Sequence, residues 1–133
     1  MQPFTRLRVR QRAHAFALEA YTATARFPAS ERFGLTAQIR RAAVSVTANI
    51  AEGSRRRHDG DFARFLNIAE ASLAEVEALV MIGRDLDYLE RGQAIPLLDE
   101  ASEIGRMLCA FRMRVESRTP GASSSDPGLT ADR

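Results

Sequence analysis

The stretch FGLTAQIRRAAVSVTANIAEGSRR, which runs from Phe33 to Arg56, carries the most regular pattern in the chain. Apolar or small residues recur in it at intervals of three or four, which is the period of one buried helical face. That face comprises Leu35, Ile39, Ala42, Val46, Ile50 and Gly53. We predict a helix over about residues 35–56, and the polar segment Arg57-His58-Asp59-Gly60 that follows breaks it.

The side of this helix opposite the buried face is also apolar, although a helix on the surface of a monomeric protein carries charges there. Its residues are all small, namely Ala37, Val44, Ala48 and Ala51. Small side chains allow a second helix to approach closely. We therefore expect this face to be an oligomer interface that another subunit covers.

A polar stripe separates the two apolar faces of the same helix. It comprises Gln38, Arg41, Ser45, Asn49 and Glu52, spaced by three or four residues. Polar residues beside a core can fix the register of neighbouring helices through hydrogen bonds. They can also line a groove or a pore, and the structural role is the one that we favour.

Three further segments show the helical period, at about residues 7–26, 61–89 and 96–118. Gly92 marks a turn before the last of them. Pro96 suits the first turn of that helix, because backbone N–H groups in a first turn have no acceptor within the helix and proline lacks this group. Their expected core positions are Val9, Ala13, Phe16, Ala20, Ala23, Phe27, Phe62, Leu66, Ala69, Leu73, Val76, Val80, Gly83, Leu97, Ala101, Ile104, Leu108, Phe111 and Val115.

These patterns predict an all-α fold. No stretch alternates apolar and polar residues with period two, so no strand is expected. Four amphipathic helices with short connectors predict an antiparallel up-down four-helix bundle over residues 1–118. Residues 119–133 (TPGASSSDPGLTADR) contain one large apolar residue, Leu129, and we predict that they are disordered because they bury too little to offset their ordering entropy.

The composition excludes several kinds of chemistry. The chain has 133 residues, with 19 Arg, no Lys and one Cys. Without Lys there is no Schiff-base lysine and no Walker-type phosphate-binding lysine. One Cys excludes an internal disulfide and any multi-cysteine zinc or iron–sulfur site. The apolar runs are too short to span a membrane and the N-terminus lacks an apolar signal core, so we expect a cytoplasmic protein.

The net charge of +2 conceals two unlike halves. Residues 1–57 hold eleven Arg against three acids, whereas residues 58–133 hold eight Arg against fourteen acids. Such an asymmetry is expected when the basic half binds a polyanion, and equally when the two halves pair with each other.

The run Arg55–Arg57 stands at the C-terminal end of the predicted 35–56 helix, where cations suit the helix dipole. Glu52 can pair with Arg56 one turn away. Three cations in one turn nevertheless repel one another unless an anion is near, which favours a nucleic-acid site. Its predicted residues are Arg40, Arg41, Arg55, Arg56 and Arg57. Aromatic residues outside the expected core are scarce, so we expect contacts to the nucleic-acid backbone without sequence reading.

Signals for other chemistry are weak. Neither His14 nor His58 has a Glu three residues before it, as di-iron sites in helix bundles require. Cys109 lies beside the expected core of the last helix and is interpreted as a small buried hydrophobe. Arg8 and His14 loosely match the Arg-then-His signature of HEPN-type ribonucleases, and an exposed His beside Arg10 is the simpler interpretation. We predict no catalytic residue, no metal and no cofactor.

The stretch quoted first, together with DFARFLNIAEASLAEVEAL (Asp61–Leu79) and EIGRML (Glu103–Leu108), resembles the four-helix-bundle family encoded in intervening sequences of bacterial 23S rRNA genes. The resemblance covers about residues 4–116. It implies an antiparallel bundle that assembles into a ring-like homopentamer with a central channel. The sequence is also similar to the accessory protein of diversity-generating retroelements, a basic pentamer that binds reverse transcriptase and nucleic acid.

Two positions depart from the family pattern. Arg10 stands where many members carry Trp, and Thr47 stands where the second-helix motif usually has Pro. The second change removes a kink, and neither change affects the fold argument.

We therefore expect a non-enzymatic homo-oligomer, a pentamer by resemblance, that binds the backbone of RNA or DNA. It is expected to need no small-molecule substrate and no membrane. The alternative is an adaptor or scaffold for another protein, such as a reverse transcriptase or a ribosomal factor. In that case the acidic residues Glu75, Glu77, Asp85 and Asp87 are as important as the Arg cluster. A small nuclease that uses His14 is the third hypothesis.

Overall fold

The computed structural model describes residues 3–118. It has four helices, α1 (Pro3–Thr24), α2 (Leu35–Ser54), α3 (Asp59–Asp85) and α4 (Arg91–Ser117), and a single 3₁₀ turn at Ala29–Glu31 between α1 and α2. The described residues contain no strand, and the all-α prediction is confirmed. The prediction of disorder for residues 119–133 lies outside the described residues.

The four helices pack as a bundle in chain order. Each helix contacts the next one in sequence, and α4 returns to contact α1. Within the described range the diagonal pairs, α1 with α3 and α2 with α4, do not approach each other closely. Short connectors reverse the chain direction between consecutive helices, so neighbouring helices are antiparallel. The contact between α2 and α3 is the most extensive.

The predicted apolar stripes meet in one core. Its largest fully buried side chains are Val9, Phe16, Ile39, Val46, Ile50, Leu66, Val76, Val80, Ile104, Leu108, Phe111 and Val115. Phe62 of α3 meets Phe111 of α4 edge to face, with ring centroids 5.4 Å apart. Burying one such side chain contributes roughly 1.5–3 kcal/mol, so the core is the main source of stability.

Two glycines allow the close approach of α3 to its neighbours. A Cβ added at Gly53 would lie 2.7 Å from the Cβ of Phe65 on α3. A Cβ added at Gly83 would lie 3.0 Å from Cζ of Phe27. Both glycines are buried, and both were predicted as core positions of their helices.

Helix α3 ends at Asp85, four residues earlier than the predicted end at 89. The N–H of Tyr88 donates to the carbonyl of Gly83 at 2.9 Å, and the N–H of Asp87 donates to the carbonyl of Arg84 at 3.0 Å. These two bonds form a Schellman motif, with Asp87 at φ 64° in the left-handed position. The prediction ran too far because Asp stands where Gly is the usual end signal.

Helix α4 begins at Arg91, five residues before the predicted start at 96. The N–H of Ala94 donates to the carbonyl of Glu90 at 2.9 Å, which opens the first turn. Gly92 therefore lies inside the helix rather than in a turn, and Pro96 is its sixth residue rather than part of the first turn. The helix tolerates this proline at the loss of one backbone hydrogen bond.

Four of the remaining helix ends differ from the predicted ones by two to four residues, whereas α2 begins at Leu35 as predicted and α4 ends at Ser117, one residue before the predicted end. Helix α1 runs from Pro3 to Thr24 instead of 7–26, α2 ends at Ser54 instead of 56, and α3 begins at Asp59 instead of 61. Pro3 is the first residue of α1, a position that needs no N–H donor. Residues that precede the apolar stripe, 3–6 in α1 and 59–60 in α3, therefore extend both helices at their N-termini beyond the prediction.

Ion pairs connect α4 to α1 and α3. The inter-element pairs are Arg12 with Glu100, Arg112 with Glu70, and Arg118 with Asp59. The hydrogen bonds that Arg12 donates to Glu100 and Arg112 donates to Glu70 are the main reason that the pKa values of the two guanidinium groups are raised. The Arg12–Glu100 pair joins the basic half of the sequence to the acidic half, so part of the charge asymmetry is neutralised within the bundle.

Candidate nucleic-acid interface

Antiparallel packing separates the charges along the bundle axis. The Oγ atoms of Ser45 and Ser72 meet 2.8 Å apart about halfway along α2 and α3. We name the half made of residues 3–14, 46–71 and 106–118 the basic end, because it holds twelve Arg and five carboxylates. The other described half, residues 15–45 and 72–105, is the acidic end, with six Arg and ten carboxylates.

The predicted cluster Arg55–Arg57 lies at the basic end, where α2 finishes. All three side chains are exposed. The N–H of Arg55 donates to the carbonyls of Glu52 and Gly53, so the cluster begins as the C-cap of α2. No described carboxylate forms an ion pair with Arg55 or Arg57, whereas Arg56 pairs with Glu52. The structure thus leaves two cations of the cluster for an external anion.

A stack of two guanidinium groups on one aromatic ring adds to the cluster. The Cζ atom of Arg56 lies 4.8 Å from the centroid of the Phe65 ring, and that of Arg64 lies 4.7 Å from it. The ring holds both cations by cation–π attraction. Arg64 and Phe65 were not predicted as site residues, because the stack joins the end of α2 to the first turns of α3.

Further exposed Arg residues surround this cluster. Those at the basic end that form no ion pair with a described carboxylate are Arg8, Arg10, Arg55, Arg57, Arg64 and Arg114. Arg6 is partly buried, with its guanidinium 5.4 Å from the centroid of the Phe62 ring. Its Nε atom is buried and finds no hydrogen-bond acceptor among the described residues. The basic end therefore presents a broad cationic surface, contributed by α1, α3, α4 and the segment that follows α2.

The structure does not bring Arg40 and Arg41 to this surface. Arg40 donates from Nε to Oγ1 of Thr24 at 2.8 Å and from Nη2 to the carbonyl of Tyr21 at 3.2 Å. Its guanidinium also lies over the Tyr21 ring, 4.5 Å from the centroid. Arg41 is exposed, but it belongs to the acidic end, about 21 Å along the helix from Arg55 at 1.5 Å per residue. Arg40 thus ties α2 to α1.

The apolar outer face of α2 is uncovered in the single chain. Val44 is 41% exposed and Ala48 is also exposed, whereas Ala37 and Ala51 are half-buried. None of these four residues is charged. An uncovered apolar face on a helix is typical of a protein interface.

The polar stripe of α2 lies partly in the seam with α3. Ser45 bonds to Ser72 across the two helices, and the Nδ2 atom of Asn49 donates to the carbonyl of Ser45 at 2.8 Å and to its Oγ at 2.9 Å. Gln38 and Glu52 are exposed at the margins of the stripe. The Ser45–Ser72 bond joins α2 to α3 and helps to fix their register, whereas the Asn49 bonds stay within α2 and hold the Ser45 side chain.

Residues considered for other chemistry are dispersed. His14 lies in a shallow groove between α1 and α2, beside Thr47. Arg8 lies six residues before His14 on α1, which places it about 120° away around the helix axis. Cys109 is half-buried, with its Sγ 4.0 Å from the sulfur of Met113. The described residues hold no group of three His, Cys, Asp or Glu that could bind a metal ion.

Two phenylalanines are exposed that the sequence pattern suggested would be mostly buried. Phe33 is 85% exposed at the acidic end, beside the guanidinium of Arg32 at 5.1 Å, and Phe4 is 70% exposed at the basic end. Phe33 precedes α2 and Phe4 lies in the first turn of α1, before its apolar stripe begins, which is why the periodicity gave no information about them.

Comparison with known proteins identifies relatives of this fold. A family model described as 23S rRNA-intervening sequence protein matches residues 5–110. A crystal structure of a protein with unknown function from the S23 ribosomal protein family of Bacteroides thetaiotaomicron VPI-5482 is similar in fold, with a TM-score of 0.76 and 24% identity. The match covers 82% of this chain and 98% of that chain. A search of curated proteins gives no match. Within the described residues, none of the helices has the length and apolarity needed to cross a membrane.

Proposed function

The chain belongs to the 23S rRNA-intervening sequence protein family, and from this premise we propose that it is a non-enzymatic homo-oligomer that binds the backbone of RNA or DNA. The observation that carries the proposal is the basic end, where six exposed Arg form no ion pair with a described carboxylate. The proposed assembly is a ring-shaped homopentamer, and binding needs no metal or cofactor.

Arginine suits a phosphate backbone because its planar guanidinium presents several donors that match the oxygens of one phosphate. Such contacts position a nucleic acid without reading its bases. Every phosphate that the protein neutralises releases counterions, so affinity should fall steeply as salt rises. The stack on the Phe65 ring keeps the guanidinium groups of Arg56 and Arg64 at a fixed place on the surface.

The binding test compares the basic end with a matched set of cations elsewhere. The wild type is compared with the triple variant Arg55→Ala/Arg57→Ala/Arg64→Ala and with the control Arg26→Ala/Arg32→Ala/Arg91→Ala. The two variants lose the same charge. Binding to single- and double-stranded RNA and DNA is measured across a salt series. If each lost Arg contacts one phosphate, the log–log salt slope for duplex DNA should become shallower by roughly 3 for every chain of the oligomer that contacts the DNA, and only in the basic-end variant.

Two outcomes would contradict the binding proposal. One is the absence of binding at low salt. The other is an equal loss of affinity in the control, because removing any three positive charges would then have the same effect as removing those of the basic end.

The oligomer proposal rests on the uncovered outer face of α2, and Val44 is the residue that tests it. In light scattering, the wild type should give a mass several times the 14.7 kDa of one chain. The Val44→Glu substitution places a charge in the interface and should reduce the mass to that of one chain with unchanged helix content. A wild-type mass near 14.7 kDa would refute the oligomer.

The second candidate function is an adaptor for a protein partner, such as a reverse transcriptase or a ribosomal factor. The exposed Phe33, which lies at the acidic end together with Asp85 and Asp87, favours it because an exposed aromatic side chain is typical of a protein interface. A partner that binds after nuclease treatment and is lost with Phe33→Ala would support this function over nucleic-acid binding.

A further inference from the structure

A second uncovered stripe lies on the outside of α3. It comprises Ile68, Ala71, Glu75, Ala78 and Ile82, spaced 3-4-3-4, and we name it the α3 outer stripe. All five side chains are exposed, with Ile68 at 37% and Ile82 at 47%. This spacing places them on one face of the helix, turned away from the core stripe that includes Leu66 and Leu73. Helix α3 is therefore apolar on two sides.

The outside of α2 carries a stripe of the same length. It comprises Ala37, Arg41, Val44, Ala48 and Ala51, spaced 4-3-4-3, and we name it the α2 outer stripe. Each stripe is mainly apolar with charge at defined positions: Arg on the α2 outer stripe and Glu75 on the α3 outer stripe. Neither Arg41 nor Glu75 forms an ion pair with a described residue. The two stripes thus carry unneutralised charges of opposite sign.

The positions of these charges along the bundle axis, which we call their levels, also match. Ser45 and Ser72 lie at the same level, because their Oγ atoms are 2.8 Å apart. The two helices are antiparallel and have the same rise per residue. Arg41, four residues before Ser45, therefore lies at the level of residue 76, next to Glu75. By the same rule Val44 lies at the level of residue 73, between Ala71 and Glu75.

A rotation about an axis parallel to the helices moves each residue to another copy without changing its level. We infer that the α2 outer stripe of one copy binds the α3 outer stripe of the next copy, with Arg41 paired to Glu75. The inference rests on the homo-oligomer proposed above and specifies which surface of the neighbour completes it. The contact is heterologous, since two different surfaces of the chain meet in it.

The placement of the two stripes on neighbouring helices explains closure. Stripes on opposite sides of a bundle would extend copies in a line, as heterologous contacts do when the rotation does not close. Outer faces of adjacent helices point in different but not opposite directions. Each added copy therefore turns relative to the last, which favours a closed ring over a filament.

A mixing experiment tests the pairing directly. Val44→Glu disables the α2 outer stripe and leaves the α3 outer stripe intact, whereas Ala78→Glu does the reverse. Each variant alone should have the mass of one chain in light scattering. An equimolar mixture should form a complex of two chains, because one intact stripe of each kind remains between them. Ala110→Glu, at an exposed position on α4, is the matched control and should keep the wild-type mass.

Charge reversal tests the predicted contact within the pair. Arg41→Glu and Glu75→Arg should each weaken the assembly at low salt, and the double variant should restore it, because the ion pair is re-formed with its partners exchanged. Far-ultraviolet circular dichroism should show the same helix content in all of these variants.

The outcomes separate this inference from the oligomer on which it rests. A wild type with the mass of one chain refutes both. If Val44→Glu dissociates the assembly but Ala78→Glu does not, the α2 outer stripe remains an interface and its proposed partner is wrong. A mixture of the two variants that stays at the mass of one chain also overturns the pairing.

Discussion

Glu31 joins two connectors of the bundle through the two oxygens of its carboxylate. Its Oε1 accepts a hydrogen bond from the N–H of Leu35 at 3.0 Å, which caps the start of α2. Its Oε2 accepts one from the hydroxyl of Tyr88 at 3.2 Å, in the connector before α4. The Tyr88 ring packs against Phe27 with centroids 5.5 Å apart. A Cβ at position 34 would lie 2.7 Å from Oε1, so Gly34 leaves room for this cap.

Tyr88 should titrate above the ordinary tyrosine pKa. Burial, the hydrogen bond to Glu31 and the charge of Glu31 all raise its pKa from 10.0. The fold thus favours the neutral phenol, and this stabilisation is complete below pH 10 and is lost as pH rises through the folded-state pKa. The Tyr21→Phe variant leaves Tyr88 as the only tyrosine, so its tyrosinate absorbance should report this raised value directly.

The controls for this prediction use the same absorbance. Adding Glu31→Gln to Tyr21→Phe removes the charge and should move the midpoint down towards the value of the unfolded chain. A midpoint that is equal in the folded and urea-unfolded Tyr21→Phe variant would contradict the raised pKa.

At the scale of the helices, the sequence predicted that four helices exist and which face of each is buried. It predicted the first and last residues of the helices less well. A buried face, such as the stripe from Val9 to Phe27, can be predicted because the spacing of apolar residues reflects which side of the helix is buried. The ends depend on backbone hydrogen bonds, and Asp87 closes α3 without the glycine that usually marks this motif. The candidate site divides in the same way. Arg55–Arg57 is visible as a run, whereas the stack on Phe65 is made by tertiary packing.

Two glycines inside helices should respond oppositely to substitution by alanine. Alanine is favoured over glycine by roughly 1 kcal/mol in a helix interior. At Gly92 the new Cβ meets nothing within 4 Å, so Gly92→Ala should raise the free energy of unfolding by about 0.5–1 kcal/mol. At Gly53 the Cβ would meet Phe65 at 2.7 Å and Phe62 at 3.0 Å. Overpacking costs roughly 1–3 kcal/mol, so Gly53→Ala should be destabilising.

Urea unfolding followed by circular dichroism measures both substitutions at one protein concentration. Gly60→Ala, where the Cβ again meets nothing within 4 Å, separates helix propensity from packing near the same end of the bundle. A Gly53→Ala variant as stable as the wild type would show that α2 and α3 can move apart at little cost.

For the whole molecule, the axial separation of charge and the proposed ring reinforce each other. Copies related by rotation about an axis along the helices all point the same way, so their basic ends form one rim and their acidic ends the other. Each copy contributes the same exposed set, which includes Arg55, Arg57 and Arg64. A single chain presents one such cationic surface. The rim of the proposed ring therefore presents several of them to one strand of nucleic acid.

Dissociating the ring should therefore weaken nucleic-acid binding although no Arg is removed. Val44→Glu leaves the basic end intact but lets each chain bind independently, so the gain from simultaneous contacts is lost, a gain that typically reaches about 10²–10⁴ in affinity. The salt slope should also become shallower, since fewer phosphates are neutralised by each bound particle. Gln93→Glu, at an exposed position of α4 in the acidic end, adds the same negative charge without touching the interface and should bind as the wild type does. A dissociated Val44→Glu variant with the wild-type affinity and slope would mean that one chain makes all the contacts, and the ring would then have no part in binding.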